Sequence, residues 1–147
     1  MSEESRDAIL VAIAKHTEMR SVRSVVLVGA GKLGSALMSY AGFSVYGLDI
    51  LAGFDVNEKL IKKGVYGKLV YQLERLEEVC CRLHAKIGII TTPGGYAQQV
   101  CDALVACGIS VVWNFTSARL KVPPNVMVYN EDMSKSLQLL AVHAARQ

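Results

Sequence analysis

Gly29-Ala30-Gly31-Lys32-Leu33-Gly34 spaces three glycines as GxGxxG. The motif directly follows Val25-Val26-Leu27-Val28, a β-branched run, and precedes Lys32 to Tyr40, whose apolar residues recur at helical spacing. A strand before it and a helix after it give this glycine pattern its meaning as a dinucleotide loop. Gly29 permits a tight turn, Gly31 removes the Cβ that would hold a pyrophosphate off the backbone, and Gly34 brings the helix close to the strand. Free N–H groups and the positive end of the helix dipole then receive the diphosphate. A glycine turn that only shapes the chain is the competing reading.

A carboxylate belongs with such a loop. Asp55 closes the second apolar run, where an acidic side chain accepts hydrogen bonds from the adenosine ribose hydroxyls and repels a 2′-phosphate. It stands somewhat beyond the ~20 residues usual after the first glycine. Asp49 occupies the same stretch but comes too early in the strand. Lys59, Lys62 and Lys63 follow on the next helix and counter the repulsion, so NAD over NADP is a preference. A solvated turn carboxylate is the alternative for Asp55.

In a doubly wound sheet the ligand lies where the loops after strands one and four diverge. The loop after strand four is Thr91-Thr92-Pro93-Gly94-Gly95, small enough for a cofactor to cross and supplied with hydroxyls. After strand five come Asn114-Phe115-Thr116, an amide and a ring that reach the nicotinamide side, or else a turn-stabilising amide and a core ring. A dehydrogenase needs an acid or base beside the nicotinamide. His16, His84 and His143 all fall in or at the ends of expected helices, away from these loops. No Ser-His-Asp set, metal cluster or facing carboxylate pair appears, so the expectation is a binding or sensing domain and no catalytic residue.

The elements that position these residues alternate. Ala8 to Lys15 reads as a short helix with Ile9, Leu10 and Ile13 near one face. The first strand, Val25 to Val28, precedes a helix from Lys32 to Tyr40 with Leu33, Ala36, Leu37 and Tyr40 inward. Val45 to Phe54 is the second strand, Asn57 caps a short helix ending at a left-handed Gly64, and Val65 to Tyr71 is the third. Gln72 to His84 carries Leu73, Leu76, Cys80 and Leu83 on one side, an amphipathic helix. Lys86 to Thr91, a helix from Tyr96 to Cys107 stopped by Gly108, Ser110 to Phe115 and Asn125 to Tyr129 complete the sheet. Asp132 then caps a last helix through Ala145. Alternation of this kind demands right-handed crossovers. The expected fold is α/β, one doubly wound parallel sheet of Rossmann type with an extra helix at each end. Residues 1–22 form the connector and 23–147 the domain, with its last helix at 133–145.

Length and composition agree. A chain of 147 residues makes one domain at roughly 150 residues each. With 52% hydrophobic and 20% charged residues it builds an ordinary core. No apolar run approaches the ~20 residues of a membrane span. Ser2-Glu3-Glu4 is acidic where a signal peptide is basic, so the expected compartment is the cytoplasm. A net charge of +3 is spread along the chain with Lys62-Lys63 the only adjacent basic pair, unlike the clustered stripe that DNA binding requires. Cys80-Cys81, Cys101 and Cys107 match no CxxC spacing and read as reduced, packed thiols, a vicinal Cys80–Cys81 redox pair being the strained alternative.

Several segments together resemble the redox-sensing transcriptional repressor Rex, in its C-terminal domain, often labelled a CoA-binding domain. They are Val25 through Gly34, Ser39-Tyr40-Ala41-Gly42-Phe43, Phe54-Asp55-Val56, Ile87 through Pro93, and Asn114-Phe115-Thr116 with Arg119-Leu120-Lys121-Val122-Pro123. The resemblance runs from about Ser24 to near the end of the chain. It implies a domain that binds NADH or NAD+ and reports their ratio. By position Gly29, Gly31, Lys32 and Leu33 match the pyrophosphate loop, Asp55 the ribose carboxylate, and Thr92 and Pro93 the second cofactor loop. Asp132 and Met133 match the start of a terminal helix that, in the family, is exchanged within a homodimer. Here that helix carries Met133, Leu137, Leu140 and Ala144, a stripe that equally suits packing on its own domain. Family members carry an N-terminal winged helix, and only about 20 residues precede the sheet here. The chain is then a piece of a longer repressor or a stand-alone relative, with no DNA contact expected from it alone. A coenzyme A domain and a small NAD-dependent oxidoreductase are the rival readings.

Overall fold

A run of Val25-Val26-Leu27-Val28 has no polar side to turn to water, so it is stable only between two covered faces. The computed structural model, which describes residues 24–40, 42–131, 141–142 and 144–145, places it there. β1 (Ser24–Val28) lies between β2 (Asp49–Asp55) and β4 (Ile87–Ile90). Beyond β2 lies β3 (Leu69–Gln72). Beyond β4 lie β5 (Val111–Asn114) and β6 (Met127–Asn130). The order is β3-β2-β1-β4-β5-β6 and every neighbouring pair is parallel. This is the doubly wound Rossmann arrangement, with its switch point between β1 and β4.

The helices divide between the two faces. α1 (Lys32–Ser39), α2 (Gly42–Val45) and α3 (Glu58–Lys63) set Met38, Phe43, Leu60 and Ile61 against Val25, Leu27, Ile50, Val70, Ile87 and Ile89. α4 (Leu76–Leu83) and α5 (Ala97–Ala106) set Leu76, Val79, Cys80, Val100, Cys101 and Leu104 against Val26, Val28, Phe54, Ile90 and Val112. Short 3-10 turns, Leu73–Arg75 and Gly94–Tyr96, lead into α4 and α5. Between β5 and β6 the crossover contains no helix. Ala118, Leu120 and Val122 of that loop pack on the α4–α5 side instead.

Several boundaries differ from the sequence reading. The second strand begins at Asp49, not Val45, because Tyr46, Gly47 and Leu48 donate to the Phe43 and Ser44 carbonyls and close a turn after α2. The third begins at Leu69: Val65 and Lys68 bond reciprocally around Tyr66 and Gly67, both at positive φ, in a tight reversal. Asn57 caps α3 as expected, its Oδ1 accepting from Lys59 N–H at 2.9 Å, but Gly64 takes φ +71° with an extended ψ in place of a left-handed cap.

The inner face of α1 is also different. Gly34 and Met38 are buried, Leu37 is half-buried, and Leu33, Ala36 and Tyr40 face outward, Tyr40 being 62% exposed. The glycine decides the rotation of the helix, because only its bare face can approach the β1 turn. The N-terminal helix and residues 132–140 of the C-terminal one lie outside the described residues; Ala141, Val142, Ala144 and Ala145 are helical and exposed.

Candidate functional site

At the C-terminal end of β1 the chain turns at Gly29, φ +99°. Its N–H donates to the Phe54 carbonyl of β2 at 2.8 Å, while Thr91 N–H donates to the Val28 carbonyl at 2.9 Å. The first glycine therefore sits in the fork between the neighbouring strands. A Cβ there would come within 2.8 Å of the Thr91 backbone, so both the torsion and the space exclude a side chain. A Cβ on Gly34 would drive into the Gly29 carbonyl and meet Thr91 Oγ1 at 3.0 Å. Gly31 is different: a Cβ on it meets nothing within 4 Å. Gly29 and Gly34 are required by packing, whereas Gly31 faces open space.

That open space lies over the start of α1. Gly31 is the N-cap, and no side chain caps the first turn. Such a turn has backbone N–H groups without intrahelical acceptors and carries the positive end of the helix dipole. Ser35 Oγ fixes the loop from below by donating to the Ala30 carbonyl at 2.8 Å, a contact with no sequence signature beyond a serine one turn into the helix. Lys32 and Leu33 form the exposed rim and Ala30 is fully buried.

Asp55 ends β2 beside this loop. Its Oδ2 accepts from Ala30 N–H at 2.7 Å, and its Oδ1 accepts from Val56 N–H at 2.7 Å and Asn57 N–H at 2.9 Å. The carboxylate thus ties the glycine loop to the turn before α3 and retains an acceptor position on Oδ2. Asp49 lies at the other end of the strand, with an oxygen 3.5 Å from Lys68 Nζ.

The two threonines after β4 are used differently. Thr91 Oγ1 lies within hydrogen-bonding reach of the carbonyls of Val28 and Gly29, so its proton serves the glycine turn. Thr92 Oγ1 is buried and has no hydrogen-bond partner. Such a hydroxyl is costly unless something meets it. Pro93 is exposed and opens the 3-10 turn.

Asn114 takes the turn-stabilising role that the sequence allowed it, and half-buried Phe115 joins an aromatic group. Asn114 is fully buried, and its amide is consumed. Nδ2 donates to the Ala118 carbonyl at 2.9 Å and Asn130 Oδ1 at 3.0 Å, while Oδ1 accepts from Thr116 N–H at 3.0 Å and Oγ1 at 2.7 Å. Phe115 packs against Trp113, ring centroids 5.0 Å apart, in a group continuing through Phe43 to Tyr40. Both stabilise the sheet edge. His84 ends α4 at the opposite side of the sheet; His16 and His143 lie outside the described residues. No group of three metal-ligating side chains occurs among the described residues. No helix among them is long and apolar enough to cross a membrane.

A turn that must be glycine, an uncapped helix start, open space at Gly31 and a carboxylate at the next strand end come together at one end of the sheet. Residues 21–118 match the family described as the CoA binding domain. The chain belongs to that family. Among curated relatives it is 37% identical over 134 residues to the redox-sensing transcriptional repressor Rex of Treponema denticola, covering 91% of this chain and 64% of the relative. It is 42% identical over 123 residues to Rex of Streptomyces coelicolor, covering 84% and 48%. The chain thus spans about half to two-thirds of these relatives' length. Among solved structures it is similar to RSP in complex with beta-NAD+ and operator DNA, at 32% identity and TM-score 0.76, covering 84% of this chain and 57% of that one. RSP described as a Rex-family repressor aligns with TM-score 0.77 at 29% identity, covering 95% and 67%. The resemblance to Rex read from the sequence holds across both comparisons.

Proposed function

We propose that this chain binds NAD(H) at the loops following β1, β2 and β4 and acts as a redox-sensing regulatory domain, not as an enzyme. The observation that carries the reading is the open, uncapped start of α1 at Gly31, bordered by the Asp55 carboxylate and the unpaired Thr92 hydroxyl. N–H groups of Gly31, Lys32 and Leu33 hold the diphosphate, with Ala30 and Gly34 shaping the loop. Asp55 takes the adenosine ribose, and Thr92 and Pro93 border the remainder. The relative RSP is described in complexes with beta-NAD+ and with beta-NADH, which supports the choice of ligand.

NAD+ and NADH differ by one charge and by the shape of the nicotinamide. A sensor turns that difference into two arrangements of a dimer, and inverting such an equilibrium from 1:99 to 99:1 takes about 5.5 kcal/mol of differential binding. In this reading the protein is a cytoplasmic homodimer whose C-terminal helices, carrying Asp132, Met133, Leu137 and Leu140, are exchanged between subunits. No direct DNA contact is expected from this chain alone.

Trp113 is the sole tryptophan, so energy transfer to NADH reports binding directly. NADH is expected to bind more tightly than NAD+; equal affinities would remove the sensor reading. Asp55→Ala should weaken NADH and relax the rejection of NADPH, and a variant that changes neither means the ribose carboxylate lies elsewhere. The family description favours coenzyme A as the second reading. Thermal shift separates the two, since the true ligand stabilises by mass action. A larger shift with coenzyme A than with NADH would replace the first reading with the second.

A further inference from the structure

The four cysteines are not equivalent packed thiols. Cys80 and Cys101 are buried, Cys107 is partly exposed and Cys81 is exposed. Cys107 follows α5, and its Sγ donates to the Glu77 carbonyl in the first turn of α4 at 3.3 Å. That oxygen lies three residues before Cys80 and four before Cys81. In a helix those are the two positions whose short side chains fold back toward the same carbonyl. One sulfur from α5 is thereby held beside two from α4, and both Cys80 and Cys81 act electrostatically on the Cys107 thiol.

We propose that Cys81 and Cys107 form a reversible intramolecular disulfide when a hydroperoxide oxidises them. Cys81 attacks first because it is the most exposed of the three. Its sulfur takes the distal peroxide oxygen, forming a sulfenic acid and releasing water, or an alcohol from an organic peroxide. The Cys107 sulfur then attacks the sulfenic sulfur, the S–S bond forms, and the oxygen leaves as a second water. Two thiols lose two electrons and two protons, and the peroxide is reduced by two electrons.

Burial pushes the Cys107 thiol well up from its ordinary value, as it pushes Cys80 to about 11, so both remain protonated at neutral pH. Cys107 is suited to resolving a neighbour's sulfenic acid, where proximity substitutes for intrinsic reactivity. Cys80 cannot bridge to Cys81. Both lie within α4, where adjacent side chains diverge by about 100°, and a vicinal bond would unwind the turn. The pair sits where β4 and β5 begin, at the opposite end of the sheet from the glycine loop, so the proposal does not depend on the nucleotide reading.

The test treats the full chain with a small excess of hydrogen peroxide, blocks residual thiols, and maps proteolytic peptides without reduction. The expected product is a Cys81–Cys107 linked pair within one chain, lost on adding dithiothreitol. It should be absent from Cys81→Ser and from Cys107→Ser and retained in Cys80→Ser and Cys101→Ser. Far-ultraviolet dichroism verifies that each variant is folded, and Cys107→Ala replaces Cys107→Ser if that variant is not. A Cys80–Cys81 bond, a link between two chains, or Cys81 advancing to sulfinic acid with no disulfide would overturn the proposal.

Discussion

The loops after β1 and β5 leave the same edge of one sheet and use their polar groups in opposite ways. After β5, Asn114 places both amide protons and its oxygen in bonds to Ala118, Asn130 and Thr116, leaving nothing for a ligand. After β1, the helix start is uncapped, a Cβ on Gly31 would meet no atom, and Thr92 across the fork has an unmet hydroxyl. A loop that maintains shape satisfies its own donors and acceptors. A loop open to a ligand leaves them unsatisfied and relies on neighbours for rigidity, here Ser35, Thr91 and Asp55.

The contrast is sharpest within the glycine motif. Gly34→Val forces a branched side chain into the Gly29 carbonyl and Thr91 and should cost about 3 kcal/mol or more. Urea denaturation is expected to show a large drop in midpoint, or no folded protein. Gly31→Val should do the reverse. The urea midpoint stays near the wild-type value, while NADH affinity measured through Trp113 falls about a hundredfold, equivalent to ~2.7 kcal/mol. A Gly31→Val protein that unfolds easily, or binds as before, breaks the distinction between the two glycines.

Asn114→Ala probes the other loop. Removing the buried amide leaves the partly buried Ala118 carbonyl and Thr116 groups without their partner, and a loss of about 2 kcal/mol is expected in denaturation. NADH affinity of the folded variant should change less than twofold; a larger loss would return Asn114 to the binding site.

An effect confined to alkaline pH concerns the α4–α5 core. Burial raises the Cys80 and Cys101 thiols from 9.0 to about 11. Above pH 9 the unfolded chain releases these protons while the folded chain retains them, so stability is unchanged below pH 9 and falls as pH rises toward 11. Cys101→Ala should make that fall shallower in denaturation series at fixed pH steps. An unchanged slope would show that the buried thiol titrates normally.

Much of this was legible in the chain. The strand–glycine–helix order located the switch-point loop, and alternation of apolar runs with amphipathic segments gave the doubly wound sheet. Asp55 over Asp49 followed from position in the strand, and the structure sets Asp55 at the loop and Asp49 beside Lys68. The inner face of α1 was not legible, because Leu33, Ala36 and Tyr40 are apolar yet the bare surface of Gly34 determines which side approaches the sheet. The roles of Thr91 and Asn114 were hidden for a related reason: each side chain had polar partners near at hand, and only packing selected among them.

Local physics therefore determined what a residue type can do: glycine where a Cβ cannot fit, carboxylate where donors converge, branched aliphatics where both faces are dry. Those properties are short-ranged and travel with the sequence. The fold decided which of two like residues performs which task, Gly31 against Gly34, Thr92 against Thr91, Cys81 against Cys80. These choices rest on contacts between segments far apart along the chain, and such contacts exist only once the sheet has closed.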